Sequence, residues 1–168
     1  MNSEANNFLP YVQPYCQVIA PNYMDKKSTE NKAENILLKK EGYVKLSNKE
    51  KSNLILAFMK KGFPVHKKAF DLVRTTSKIN FLDEDDITRK IKNITLIEIK
   101  STARSDVDAH FSKYFFGLTM REQMLAQSLK NQHKFIFVHT KTENILELNL
   151  SQLFSRIKNY NLVAHITI

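Results

Sequence analysis

The chain has one cysteine, three glycines, four prolines and no tryptophan in 168 residues. Cys16 alone cannot build an internal disulfide framework, and a single thiol fits a reducing compartment, which points to a cytoplasmic protein. Three glycines leave no material for a phosphate-cradling glycine loop, so a nucleotide cofactor is not expected. No apolar run approaches membrane-spanning length, so no membrane partner is expected either. Residues 1–25 have no basic start and carry Pro10, Pro14 and Pro21, unlike a signal peptide. With Phe8, Tyr11, Tyr15 and Tyr23 spread through them without periodicity, they read as an extended arm. Residues 26–168 contain neither repeats nor low-complexity blocks and are long enough to bury a core, which predicts a single domain.

Positive charge is what the chain has in excess. The net charge is +9, and residues 26–68 hold twelve lysines against only Glu30, Glu34, Glu41 and Glu50. A concentrated basic surface attracts polyanions and gains counterion-release free energy on nucleic acid. Read by itself, the same lysine run also suits a plain solubilising surface.

The most informative stretch is Ile94-Thr95-Leu96-Ile97-Glu98-Ile99-Lys100-Ser101-Thr102. It is rich in β-branched residues and free of Gly and Pro, so it reads as a strand. Alternation puts Ile97 and Ile99 toward a core and Leu96, Glu98 and Lys100 on the opposite face. A carboxylate and an ammonium two residues apart sit roughly 7 Å apart at their Cα atoms, close enough to serve one reacting group. On a solvated face the same two residues would form only a surface ion pair. A second Glu-x-Lys, Glu30-Asn31-Lys32, lies at the start of a helix and lacks the strand context.

Around this stretch, helices are predicted from Ser28 to Glu41, from the Ser47/Glu50 capping box to Lys61, from the Thr119/Glu122 capping box to about Asn131, and from Ser151 to about Lys158. Leu54, Ile55, Phe58 and Met59 form the expected buried stripe of the second helix, and Met124, Leu125 and Leu129 that of the third. Lys49, Lys51, Lys60 and Lys61 are left for solvent or phosphate. Ala69 to Arg74 is a short apolar run with an acid near its start. The polar segment holding Asp83-Glu84-Asp85-Asp86 reads as an exposed connecting loop. Phe135 to Val138 is continuously apolar, as in a strand covered on both faces, and Ile145 to Leu150 alternates like a half-exposed neighbour. Phe115 and Phe116 read as core, and residues 164–168 as a terminal strand.

An acid entering one strand, Asp71, followed by Glu98-Ile99-Lys100 on the next, resembles the PD-(D/E)XK nuclease superfamily. Phe70 stands where the name-giving proline would be, and the step from Asp71 to Glu98 is long. The resemblance implies an α/β fold with a restriction-endonuclease-like core, a central mixed β-sheet flanked by helices. It implies that Asp71 and Glu98 hold Mg²⁺, with Mn²⁺ able to substitute, and that the Ile99 carbonyl is a further ligand while Lys100 assists the attacking water. Glu34 matches the glutamate that many members place on an early helix near the metal. Gln123 matches the residue that orients the lysine or a phosphate from a later helix. If Asp71 is structural, Asp83 or Asp86 is the substitute acid. Lys60, Lys61, Lys67, Lys68, Arg104 and Lys113 are the expected contacts to double-stranded DNA. The activity implied is a DNA endonuclease, foremost a type II restriction enzyme working as a homodimer. A homing, junction-resolving or repair nuclease of the same superfamily is the near alternative, and a non-catalytic basic nucleic-acid-binding module the distant one.

Overall fold

A computed structural model describes residues 23–159, with side chains from residue 28. Most of the expected arm and the expected strand over 164–168 lie outside these residues; residues 23–25 open a helix instead. The elements in order are α1 (Tyr23–Leu38), β1 (Tyr43–Val44), α2 (Asn48–Lys60), β2 (Leu72–Thr75), α3 (Glu84–Lys90), β3 (Ile94–Thr102), α4 (Met120–Leu129), β4 (His133–His139), β5 (Ile145–Leu148) and α5 (Leu150–Phe154).

The strands form one sheet in the order β1-β2-β3-β4-β5, antiparallel except for the β3–β4 pair, which is parallel. A parallel pair needs a crossover, and α4 with its flanking loops supplies it. The expected mixed sheet flanked by helices is therefore present. Alternation along β3 sorts the layers. On one face Ile97 and Ile99 join Leu72, Ile136 and Val138 under Ala33 and Leu37 of α1. On the other, Ile94 and Leu96 pack with Leu54, Ala57 and Phe58 of α2, Ile87 of α3, and Leu125 and Leu129 of α4. Phe135 and Phe137 of β4 extend that face beneath Ala126 and Leu153. The segment between β3 and α4 folds back over it, where Phe116 meets Phe137 edge-to-face at 5.0 Å and the Tyr114 hydroxyl donates to the Ser101 carbonyl at 2.6 Å.

Both predicted capping boxes form. Ser47 and Glu50 exchange side chain to backbone bonds at the start of α2, and Thr119 and Glu122 do so at α4. Three expectations need correction. The acids at 83–86 make a helix, not a loop: the Asp83 side chain accepts from the Asp85 and Asp86 amides, and Asp86 accepts from the Asn80 amide and pairs with Arg89 and Lys90. Their charge favours a helix N-terminus and is spent there. Met59 and Met124, at the margins of the apolar stripes of α2 and α4, and Phe115, in the segment before α4, are 55%, 62% and 63% exposed rather than inward. The last helix ends at Phe154, well short of Lys158.

Candidate active site

β3 is not solvated on its Glu98 face. Glu98 is 7% exposed and Glu122, three residues into α4, is 6% exposed. Between them lies Lys100, whose Nζ donates to Glu98 Oε1 at 2.8 Å and to Glu122 Oε2 at 2.9 Å. The surface ion-pair reading fails on this burial. A buried charge is tolerated only when paired and hydrogen-bonded, and here each partner is.

Asp71 immediately precedes β2. The last rung of the β2–β3 ladder pairs Leu72 with Ile97, and Asp71 lies one residue beyond it, where its charge acts on both Glu98 and Lys100. The Asp71 amide donates to the Ile97 carbonyl at 2.8 Å, and Asp71 Oδ2 accepts from the Ile99 amide at 2.8 Å. The side chain thus takes the place a strand carbonyl would hold. Amide and carbonyl of one strand residue point to the same side. The Ile99 carbonyl therefore leaves β3 on the β2 side too, past the end of β2, alongside Asp71.

Burial pushes the Glu98 carboxyl well above the usual carboxylate range, helped by the negative charges of Asp71 and Glu122 and opposed by Lys100. Crowding by protein raises Asp71 as well, although one side of the residue stays open to solvent; the Ile99 amide, Lys100 and Lys51 pull it the other way. Burial works against the Lys100 ammonium, but Glu98 and Glu122 outweigh it and hold its pKa above the ordinary value. At Glu122 burial is likewise outweighed, by Lys100 and the Thr119 amide, and its pKa is lowered. Three acids crowd two amines, and the large upward shift, to about 9, falls on Glu98.

The structure brings together Asp71, Glu98, Ile99 and Lys100. It does not bring Gln123 to Lys100: the grip comes from its neighbour Glu122, because in a capping box the third helical residue turns its side chain back over the helix start. That box was visible in the sequence, and the Lys100 contact was not. Glu34 pairs with Lys45 at 2.6 Å instead of entering the carboxylate cluster. Glu30, one turn earlier, is the α1 acid whose charge reaches Asp71. Asp83 and Asp86 belong to α3. Of the basic candidates, Lys60 is held by Glu84 and Arg104 by Asp106 at 2.6 Å, while Lys61, Lys67, Lys68 and Lys113 are exposed. Lys51, expected to face solvent or phosphate, turns inward and was missed. His133, wholly buried at the start of β4, was missed as well. Among the described residues no three acids, histidines or cysteines form a preformed metal cage, and no helix is long and apolar enough to cross a membrane.

Comparison with protein-family models, curated proteins and solved structures yields no match.

Proposed function

We propose that this chain is a Mg²⁺-dependent endodeoxyribonuclease with a restriction-endonuclease-like core. The observation that carries the reading is the convergence of Asp71, Glu98 and Lys100, with Asp71 anchored on the Ile99 amide, Lys100 bonded to Glu98, and the charges of all three acting on one another. The donor set fits the ion. Mg²⁺ takes hard oxygen ligands, keeps several waters, and needs only one or two carboxylates beside a substrate phosphate. Asp71, Glu98 and the Ile99 carbonyl offer such oxygens, and a full protein cage is unnecessary. When bound, the ion supplies Lewis acidity to the phosphoryl group and a more acidic water.

The chain's own residues do the rest. Glu98 and Glu122 fix the Lys100 ammonium from two directions, so it enters the reaction already oriented and stabilises the charge that develops on the phosphate oxygens. The Ile99 amide fixes Asp71. Exposed Lys67 and Lys68, a short distance upstream of Asp71 in the chain, offer cations to the flanking phosphates. One such site cuts one strand, so a duplex cut calls for a twofold pair of chains, as in a type II restriction enzyme.

Supercoiled plasmid incubated with the protein and Mg²⁺, Mn²⁺ or EDTA tests the reading. Nicked or linear product is expected with metal and none with EDTA, and Lys100→Ala is expected to shift DNA on a gel without cutting it. A gel shift with no cleavage by the parental chain across a metal series would replace this reading with that of a non-catalytic nucleic-acid-binding protein. Light scattering on and off DNA separates a paired enzyme from a monomeric nicking one.

A further inference from the structure

Lys51 lies in the second turn of α2, whose register is set by the Ser47/Glu50 capping box. Unlike Lys49, Lys60 and Lys61, which are exposed, it bends toward the core. Its Nζ donates to the Phe70 carbonyl at 2.9 Å and stands 4.3 Å from the centroid of the Phe70 ring. One ammonium therefore holds a single residue at two points, by a charge-assisted hydrogen bond to its main chain and a cation–π contact to its side chain. Phe70 is itself buried, at 2% exposure.

The Phe70 carbonyl belongs to the peptide group that leads into Asp71. The other end of that peptide, the Asp71 amide, donates to the Ile97 carbonyl at 2.8 Å. The plane is pinned at both edges, and the Asp71 carboxylate beyond it is pinned by the Ile99 amide. A proline at position 70 would limit backbone freedom from within through its ring. Phe70 has no such restriction, and an external clamp serves instead.

We propose that Lys51 is a positioning residue for Asp71: by gripping Phe70 through both carbonyl and ring, it fixes the peptide that sets the Asp71 carboxylate beside Ile99 and Glu98. Its negative neighbours agree with this placement, since the charges of Asp71 and Glu98 both act on the Lys51 amine. Lys51 need not touch substrate, and its effect on cleavage passes through Asp71.

Its importance for cleavage rests on the nuclease reading, whereas its hold on Asp71 does not, and two measurements keep these apart. The first is backbone NMR of the metal-free protein. In Lys51→Met, which keeps the apolar stem but removes the donor and the charge, the Ile99 amide resonance moves upfield and exchanges with solvent at least tenfold faster. Lys51→Arg, which retains both contacts, restores it. The second is metal and turnover: Lys51→Met weakens Mn²⁺ binding about tenfold by calorimetry and lowers kcat by a similar factor with KM unchanged. Should Lys51→Met fold poorly, Lys51→Gln, which keeps a donor without the charge, gives an intermediate Ile99 exchange rate. An Ile99 amide unaltered in Lys51→Met overturns the proposal, as does a rise in KM with kcat intact, which would make Lys51 a phosphate contact. A parental chain that neither binds Mn²⁺ nor cuts DNA overturns the nuclease reading while leaving the NMR result to decide the clamp.

Discussion

Replacing Lys100 with Met removes the one ammonium that stands between two buried carboxylates, so it tests the energetics of the site apart from any activity. Lys100 makes two charge-assisted bonds, at 2.8 Å to Glu98 and 2.9 Å to Glu122, and the side chains are only 8–11% exposed, so solvent screens them little. Breaking a buried pair by deleting one partner costs about 3–5 kcal/mol, because the remaining charge is left uncompensated. The acids can escape part of that cost by taking up protons, which makes the penalty depend on pH. Glu98 has its folded pKa raised, so its contribution is complete below the ordinary glutamate value of 4.5 and is lost as pH climbs toward the shifted value. Lys100 opposes that shift, and its removal extends the loss only at pH above the parental value of about 9. Glu122 has its folded pKa lowered in the parent, largely by Lys100, a contribution present above 4.5 that the variant forfeits. Between pH 5 and 8 it is the Glu122 effect that opens the gap. Urea unfolding without metal is expected to show Lys100→Met less stable by about 3–5 kcal/mol at pH 8 and by only about 1 kcal/mol at pH 5, each proton taken up recovering up to about 1.4 kcal/mol per pH unit. A deficit below about 1 kcal/mol at pH 8, or one of equal size at both pH values, would refute the reasoning.

Glu122→Gln is expected to retain the α4 cap yet lower cleavage by about tenfold or more through a looser Lys100, while Gln123→Ala leaves cleavage within about twofold; plasmid nicking rates decide between the neighbours. Glu34→Ala should cost no more than about 1 kcal/mol, since Lys45, its partner, is largely exposed, and Mn²⁺ calorimetry should show unaltered affinity. His133 is wholly buried, and burial holds its pKa down to about 4, an effect the Ala69 backbone offsets only in part. A depressed histidine favours unfolding below its free value, so the fold should lose up to about 3 kcal/mol between pH 6.5 and 4; His133→Leu should flatten that limb in acid titrations followed by circular dichroism.

What was legible in the sequence was local. The β3 alternation, the apolar β4 run and the two capping boxes each depend on residues within a few positions of one another, and each formed. The approach of Asp71 to Glu98 was legible only through a resemblance, because it depends on the antiparallel pairing of β2 with β3 across an intervening helix and on the bond from the Ile99 amide to Asp71. Side-chain partners from distant elements were not legible. Glu34 has no lysine three or four residues away, and its partner Lys45 comes from beyond β1. Gln123 and Glu122 are adjacent in sequence, and only the backward turn of a capping glutamate, set against β3, selects the second. The acids at 83–86 looked like a loop because charge without apolar spacing resembles one; Ile87 alone anchors that short helix in the core. Arg74 clasps Glu147 on β5 and the Tyr43 hydroxyl of β1, bonds that link the two outermost strands and that no periodicity foretells.

Glu122 Oε2 serves two donors, the Thr119 amide at 3.1 Å and the Lys100 amine at 2.9 Å. The first coil of α4 and the Lys100 amine therefore share a single oxygen, like two latches on one bolt. Warming that frays this helix end should disarm Lys100 long before the sheet melts, so inactivation should follow amide exchange at Thr119 rather than global unfolding.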